Sequence, residues 1–120
     1  IHALSGGQRQ RVWIAMAIAQ GTSILLLDEP TTYLDVRYQL QILKLVKMLN
    51  QKLGITVLMV LHDINQALYY SDEIIALSSS GTLVAKGNPR QVITSRMLYD
   101  VYGINLSTMD YDGKKMVLTV

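Results

Sequence analysis

Ile24-Leu25-Leu26-Leu27-Asp28-Glu29-Pro30 is the stretch that decides how this chain is read. An aliphatic run closed by two carboxylates and a proline fits a strand, Ser23–Asp28, buried in a parallel sheet. Pro30 cannot donate to a strand ladder, so Glu29–Asp35 is expected as a loop. The strand then delivers Asp28 and Glu29 at its C-terminal end, the edge at which α/β sheets bind ligands. Upstream, a helix is expected from Gly7 or Gln8 to about Gln20, where Gly21 stops it. Its middle, Val12–Ala19, is apolar all round and is expected to be buried on most sides.

Downstream, Val36, Leu40, Leu43, Val46, Leu49 and Leu53 recur at helical spacing. Arg37, Gln41, Lys44, Lys47 and Gln51 occupy the other face, so Val36–Leu53 reads as an amphipathic helix packed on a sheet, ended by Gly54. Ile55–Leu61 is a second buried strand. Asp63 is placed to cap a helix over Ile64–Tyr70. Glu73–Leu77 and Leu83–Ala85 read as strands joined by a Ser-Gly turn. Asn88-Pro89 opens short helices reaching about Tyr102. Ile104–Met109 and Lys115–Val120 flank Asp112-Gly113, a hairpin signal. Strand–helix–strand–helix alternation implies an α/β fold with a mainly parallel sheet. Right-handed crossovers bring the ends of the Asp28 and Leu61 strands to one edge.

Composition agrees and excludes several classes. The 120 residues are 50% apolar and 17% charged, a core-forming balance and not a disordered one. A net charge of +2 gives no bulk support for polyanion binding, and no nucleic-acid partner is expected. The absence of cysteine removes disulfides, zinc–thiolate sites, iron–sulfur clusters and cysteine nucleophiles. The apolar runs are far shorter than the roughly 20 residues of a membrane span. No signal peptide is read at the start, and Ile1 in place of Met points to a missing beginning.

Four segments carry the chemistry. In Leu4-Ser5-Gly6-Gly7-Gln8, placed before a helix, two glycines in a loop let backbone N–H groups approach an oxyanion, and the helix end favours phosphate. A serine cap on a flexible Gly-Gly loop explains the same residues. Arg9 and Arg11 lie in the first helical turn, against the macrodipole. Asp28 offers an oxygen ligand to hydrated Mg²⁺, and Glu29 a carboxylate that can orient or deprotonate a water; an acidic strand end facing solvent is the plainer account. Thr31-Thr32-Tyr33-Leu34-Asp35 is a polar turn with Asp35 as an N-cap. His62 leaves the second strand toward the edge that carries Asp28, where it can touch a phosphate and hold a water. His2 reads as a surface residue. The six methionines and Tyr33, Tyr38, Tyr69 and Tyr70 read as core and interface packing.

In order and spacing these segments resemble the ATP-binding cassette (ABC) ATPases. Leu4–Gln8 is similar to the family's signature motif, Ile24–Asp28 to its Walker B strand, and Glu29 to its catalytic glutamate. Leu34-Asp35 is similar to the D-loop and His62 to the switch histidine. The resemblance implies a partial P-loop NTPase (RecA-like) core followed by a β-hairpin. Residues 1–103 would be the C-terminal part of a nucleotide-binding domain and 104–120 its hairpin tail. It implies ATP and Mg²⁺ as cofactors and a head-to-tail homodimer with a second ATPase subunit. Leu4, Ser5, Gly6, Gly7 and Gln8 would then contact the partner's ATP, and Asp35 would link the two sites. Asp28 would hold Mg²⁺ through water, Glu29 would activate the attacking water, and His62 would stabilise the γ-phosphate.

The resemblance further implies transmembrane permease subunits, indirectly a substrate-binding protein, and a place at the cytoplasmic face of the membrane. Thr31–Asp35, Leu61-His62-Asp63-Ile64-Asn65-Gln66-Ala67, Gly87-Asn88-Pro89 and Tyr102-Gly103 look like ferric-siderophore importers, with haem and cobalamin importers as near relatives. A phosphate loop, G-x-x-x-x-G-K-[ST], is missing; Gly113-Lys114 is followed by Lys115, and Thr108 stands where the first glycine belongs. The chain therefore resembles the C-terminal half of a cassette, expected to be inactive in ATP hydrolysis by itself. A truncated or regulatory non-hydrolysing half-domain and a soluble non-transport cassette ATPase are the alternatives.

Overall fold

The computed structural model describes residues 6–119, which form two compact units, one ending at His62 and the other beginning at Asp63. The first unit contains α1 (Gly6–Ala19), β1 (Ile24–Asp28), α2 (Val36–Leu53) and β2 (Thr56–Val60). β1 and β2 pair in parallel, Ile24 opposite Thr56 through Asp28 opposite Val60. A parallel pair needs a long crossover, and α2 supplies it.

Local chemistry sets the helix ends. Gly21, at φ 71°, stops α1 as its N–H reaches the Ile18 carbonyl at 2.9 Å. α2 begins at Asp35, whose carboxylate accepts the Tyr38 N–H, and ends at Gly54 in the left-handed region. The Gly54 N–H meets the Asn50 carbonyl at 3.1 Å, and the Ile55 N–H meets Leu49 at 3.4 Å. Glycine reaches that conformation without the Cβ clash other residues suffer, so the last carbonyls of the helix are satisfied.

Ile14, Leu25, Ile42, Val46, Leu49 and Ile55 form the core of this unit, so α1 and α2 cover one face of the strand pair. The sequence leads one to expect both strands buried on both faces, and they are not. Leu25 is buried and Leu27, Val57 and Met59 are half-buried, whereas Ile24 (58% exposed), Leu26 (70%), Leu58 (55%) and Val60 (51%) face outward. Side chains alternate across a strand, so a single helical layer shelters every second residue. The same cause corrects α1: Ile14 is buried, but Ala15, Met16 and Ala19 are exposed, because the helix packs along one side. In α2 the buried residues are Ile42, Leu43, Val46 and Leu49, while Val36, Leu40 and Leu53 are exposed. An 18-residue helix runs roughly 27 Å against roughly 17 Å for a five-residue strand, so the ends of its stripe overhang.

The second unit contains α3 (Ile64–Tyr70), β3 (Ile74–Leu77), β4 (Leu83–Gly87), α4 (Pro89–Val92), α5 (Ser95–Tyr102), β5 (Ser107–Tyr111) and β6 (Lys114–Leu118). β3–β4 and β5–β6 are antiparallel hairpins, since a short turn can only reverse the chain. Parallel pairing among the described strands is confined to β1–β2. Asp112 and Gly113 both have positive φ, 51° and 73°, the combination whose twist matches that of the flanking strands. Gly87 closes β4 at φ 146°, Asn88 caps α4 by accepting the Arg90 N–H, and Pro89 fills its first turn. Leu68, Ile74, Ala76, Ile93, Met97, Leu98 and Val117 are the core.

The methionines and tyrosines expected in core and interface packing divide between buried and exposed positions. Met97 is buried, but Met16, Met48, Met109 and Met116 are exposed, as are Tyr33, Tyr38 and Tyr69. Met109 and Met116 are cross-strand partners, so each gains its packing from the other on the outer face of the hairpin. No described helix is long and apolar enough to cross a membrane.

Candidate functional site

The site lies where β1 and β2 end together. Asp28 is opposite Val60 in the parallel ladder, and the Glu29 N–H extends that ladder to the Val60 carbonyl at 3.1 Å. Both strands therefore leave at one edge, and the residues after them, Glu29 and His62, meet. His62 Nε2 lies 2.6 Å from Glu29 Oε1. A carboxylate oxygen accepts, so the imidazole N–H donates in this pair. The two side chains are 72% and 38% exposed, so the contact adds little stability, and its interest lies in what it positions.

Glu29 is held in an uncommon shape. Its φ of 50° is left-handed for a residue carrying a Cβ, and the buried Pro30 that follows fixes the turn. The Glu29 carbonyl accepts the Thr32 N–H at 3.2 Å, and the Thr32 hydroxyl approaches the second carboxylate oxygen, Oε2, at 3.4 Å. One oxygen of Glu29 thus faces His62 and the other Thr32. The sequence places Thr32 in a polar turn without assigning it a partner; the i+3 spacing from Glu29 across a proline turn is the signal for this contact.

The loop continues in order. Leu34 N–H bonds the buried Thr31 carbonyl, and Gln39 Nε2 donates to the Leu34 carbonyl at 2.8 Å. Tyr33 also has positive φ, 66°, and is fully exposed. Asp35 accepts the Tyr38 N–H at 3.1 Å, so the expected cap is present. The structure brings Glu29 and His62 together with Asp28 one residue away, and places Asp35 at the far end of the same loop.

The other predicted segment is described in part. Leu4 and Ser5, with His2, lie outside the described residues. Gly6 and Gly7, expected in a loop, are the first residues of α1, and Gln8 follows, exposed, in its first turn. That turn still offers backbone N–H groups with no carbonyl partner inside the helix. The Arg11 guanidinium donates to the Gln41 side chain of α2, which gives this cation a partner despite its unfavourable end of the helix.

Asp28 is exposed at the strand end. Among the described residues no three His, Cys, Asp or Glu side chains gather into a metal-binding group. One carboxylate at an open edge suits Mg²⁺, which keeps most of its waters, and does not suit an ion needing a full protein cage.

The family model described as ABC transporter matches residues 1–32. The iron(3+)-hydroxamate import ATP-binding protein FhuC of Bacillus subtilis is 56% identical over 105 residues, covering 88% of this chain and 39% of that protein. The ferric enterobactin transport ATP-binding protein FepC of Escherichia coli is 47% identical over 110 residues, covering 92% and 40%. Among solved structures, an ABC transporter assigned to the metal-chelate type, in an inward-facing conformation, superposes with a TM-score of 0.85 at 31% identity, covering 97% of this chain and 46% of that one. A dimeric, ADP- and phosphate-bound post-hydrolysis state of the ATP-binding cassette MJ0796 gives 0.63 at 43% identity, covering 74% and 38%.

By sequence and by fold, the chain is similar to part of the ATP-binding proteins of ABC transporters. Its curated relatives include ATP-binding proteins of siderophore and iron-hydroxamate import, and it spans about two fifths of their length.

Proposed function

We propose that this chain is part of the ATP-hydrolysing subunit of an importer of iron–siderophore or a related metal chelate. The observation that carries the reading is the 2.6 Å contact between Glu29 Oε1 and His62 Nε2 at the shared exit of two parallel strands. In this reading Glu29 takes a proton from the attacking water, and His62 turns the N–H that meets Glu29 here to the γ-phosphate oxygen when nucleotide is bound. Asp28 would hold Mg²⁺, which would supply positive charge to neutralise that developing on the phosphates. Leu4–Gln8 serve the ATP of a second, head-to-tail subunit, and Asp35 links the two sites. Permease subunits at the cytoplasmic membrane face receive the conformational change, and a substrate-binding protein supplies the cargo. Residues 1–103 form the C-terminal part of the nucleotide-binding domain, with 104–120 as its hairpin tail.

The sequence of this chain holds no phosphate-loop string, so the 120 residues alone are expected to give no turnover. That same observation favours a second reading, a half-domain that binds partners without hydrolysing ATP. Titrating ATP·Mg²⁺ into the chain, alone and together with a polypeptide supplying the phosphate loop, separates the two. Turnover that requires both polypeptides supports the enzyme reading. Turnover by this chain alone overturns the assignment of phosphate binding to residues outside it, and none in the mixture supports the second reading.

A further inference from the structure

We propose that Thr32 is a positioning residue for Glu29, its hydroxyl holding the carboxylate so that Oε1 stays turned toward the attacking water when His62 leaves it. The proposal rests on the reading of Glu29 as the base and His62 as the γ-phosphate contact. His62 Nε2 lies 2.6 Å from Oε1, and the Thr32 hydroxyl lies 3.4 Å from Oε2. An ionised carboxylate only accepts, so the hydroxyl donates. The two oxygens thus have partners of different kinds. His62 follows another strand and, in this reading, gives its N–H to phosphate when nucleotide arrives. Thr32 sits in the same turn as Glu29, and nothing in the reaction calls it away. With Oε2 tethered, rotation of the carboxylate about its last bond is checked, and the freed Oε1 keeps the direction in which His62 met it.

The turn is built to hold that hydroxyl in place. The Thr32 N–H reaches the Glu29 carbonyl at 3.2 Å, which closes a four-residue turn with Pro30 at its second position. Pro30 and Thr31 are buried, so the middle of the turn is packed and not free to hinge. Threonine is branched at Cβ and has few χ1 choices, so little freedom is lost when its hydroxyl points back to Glu29. Both ends of the turn are tied to the rest of the first unit. The Glu29 N–H bonds the Val60 carbonyl of β2 at 3.1 Å. Beyond the turn, the Leu34 N–H bonds the Thr31 carbonyl at 3.3 Å, and Gln39 Nε2 of α2 donates to the Leu34 carbonyl at 2.8 Å. A run of contacts thus leads from α2 through the loop to Oε2, all within one compact unit. At 3.4 Å the hydroxyl contact is long for a bond between oxygens, so it steers the carboxylate more than it stabilises the fold.

Steady-state turnover in a protein supplying both halves of the cassette tests the role, together with nuclear magnetic resonance on the labelled 120-residue chain. Thr32→Val keeps the shape and removes the hydroxyl. It is expected to lower kcat about tenfold while KM for ATP changes by less than about twofold. Thr32→Ser returns the hydroxyl and is expected to recover most of the loss. In a Glu29→Gln background Thr32→Val is expected to add no further loss, because the two residues act as one unit. In the labelled chain the Glu29 side-chain carboxyl and His62 ring resonances are expected to move in Thr32→Val and to return in Thr32→Ser. Thr32→Ala serves where the valine variant does not fold. Parental kcat in Thr32→Val overturns the proposal, as does a serine variant no better than the valine one, or an equal loss in both Glu29 backgrounds. Resonances that stay in place overturn the contact itself. Failure of the hydrolytic reading shows separately, as parental turnover in Glu29→Gln, while the resonances of the Thr32 variants still report the contact.

Discussion

His62 and Glu29 stand 33 residues apart in sequence, yet their side chains meet at 2.6 Å because β1 and β2 run parallel and end together. Neither residue needs a special environment for this. The crossover through α2 brings the second strand beside the first in the same direction, and one residue beyond the end of β1 and two beyond the end of β2 place a carboxylate and an imidazole side by side.

The first prediction concerns chemistry. In a protein supplying both halves of the cassette, Glu29→Gln is expected to lower ATP turnover by about 10²–10⁴-fold, the range for losing a positioned general base. Nucleotide binding is expected to persist, because the amide keeps the size and most of the polarity of the carboxylate. Steady-state phosphate release and nucleotide binding, measured on the same preparation, check it. Wild-type turnover in the variant removes Glu29 from its assigned role.

A second prediction separates the two faces of the β1–β2 sheet. Leu49 is 1% exposed in the core of the first unit, and Leu49→Ala is expected to cost about 2–5 kcal/mol. Leu26 is 70% exposed, and Leu26→Ala is expected to change stability by no more than about 0.5 kcal/mol. Urea unfolding followed by circular dichroism gives both values. Equal losses at the two positions show that something covers the outer face in solution.

Gly87 carries the third. At φ 146° it lies where a side chain is strained, and an added Cβ meets Val92 Cγ2 at 3.3 Å. Gly87→Ala is expected to destabilise the chain by about 1–3 kcal/mol. Gly103, at φ 72° with nothing within 4 Å of an added Cβ, carries the backbone cost alone and is expected to lose less, about 1 kcal/mol as alanine. Comparing urea midpoints of the two variants isolates the contact with Val92.

Much of the architecture was legible because its signals are local. Asp35, Asp63 and Asn88 cap helices, Gly54 ends one, and Asp112-Gly113 turns a hairpin through contacts within a few residues. The meeting of Glu29 with His62 followed from a topological rule applied to two recognisable strands. What was not legible depends on partners outside the pattern. The outward faces of Leu26, Val36 and Met16 look like core in sequence, since apolar spacing records which residues seek cover and not which find it. The positive φ of Glu29 and the bond of Asn65 to Val117 belong to the assembled chain, and no window of sequence contains both ends of the latter.

The fourth prediction concerns alkaline pH. Burial pushes the Tyr102 hydroxyl above its ordinary value of 10.0, and the negative charge of Asp63 pushes it further. The folded chain thus holds this proton more tightly than the unfolded chain. Stability is unaffected by the group while both states are protonated, below pH 10.0. It falls as pH rises through the ordinary value, where the unfolded state ionises first, and the loss is complete once the folded state ionises too. Tyr102→Phe removes the group, so its thermal midpoint is expected to decline less steeply above that pH than the parent's, with the two curves parallel near neutrality. Phenolate absorbance in the folded parent reports the titration directly. Removing the carboxylate with Asp63→Asn, which keeps a capping side chain, is expected to bring the Tyr102 titration part of the way back, since burial remains the larger cause. Parallel midpoint curves across the whole alkaline range would show that Tyr102 ionises alike in both states.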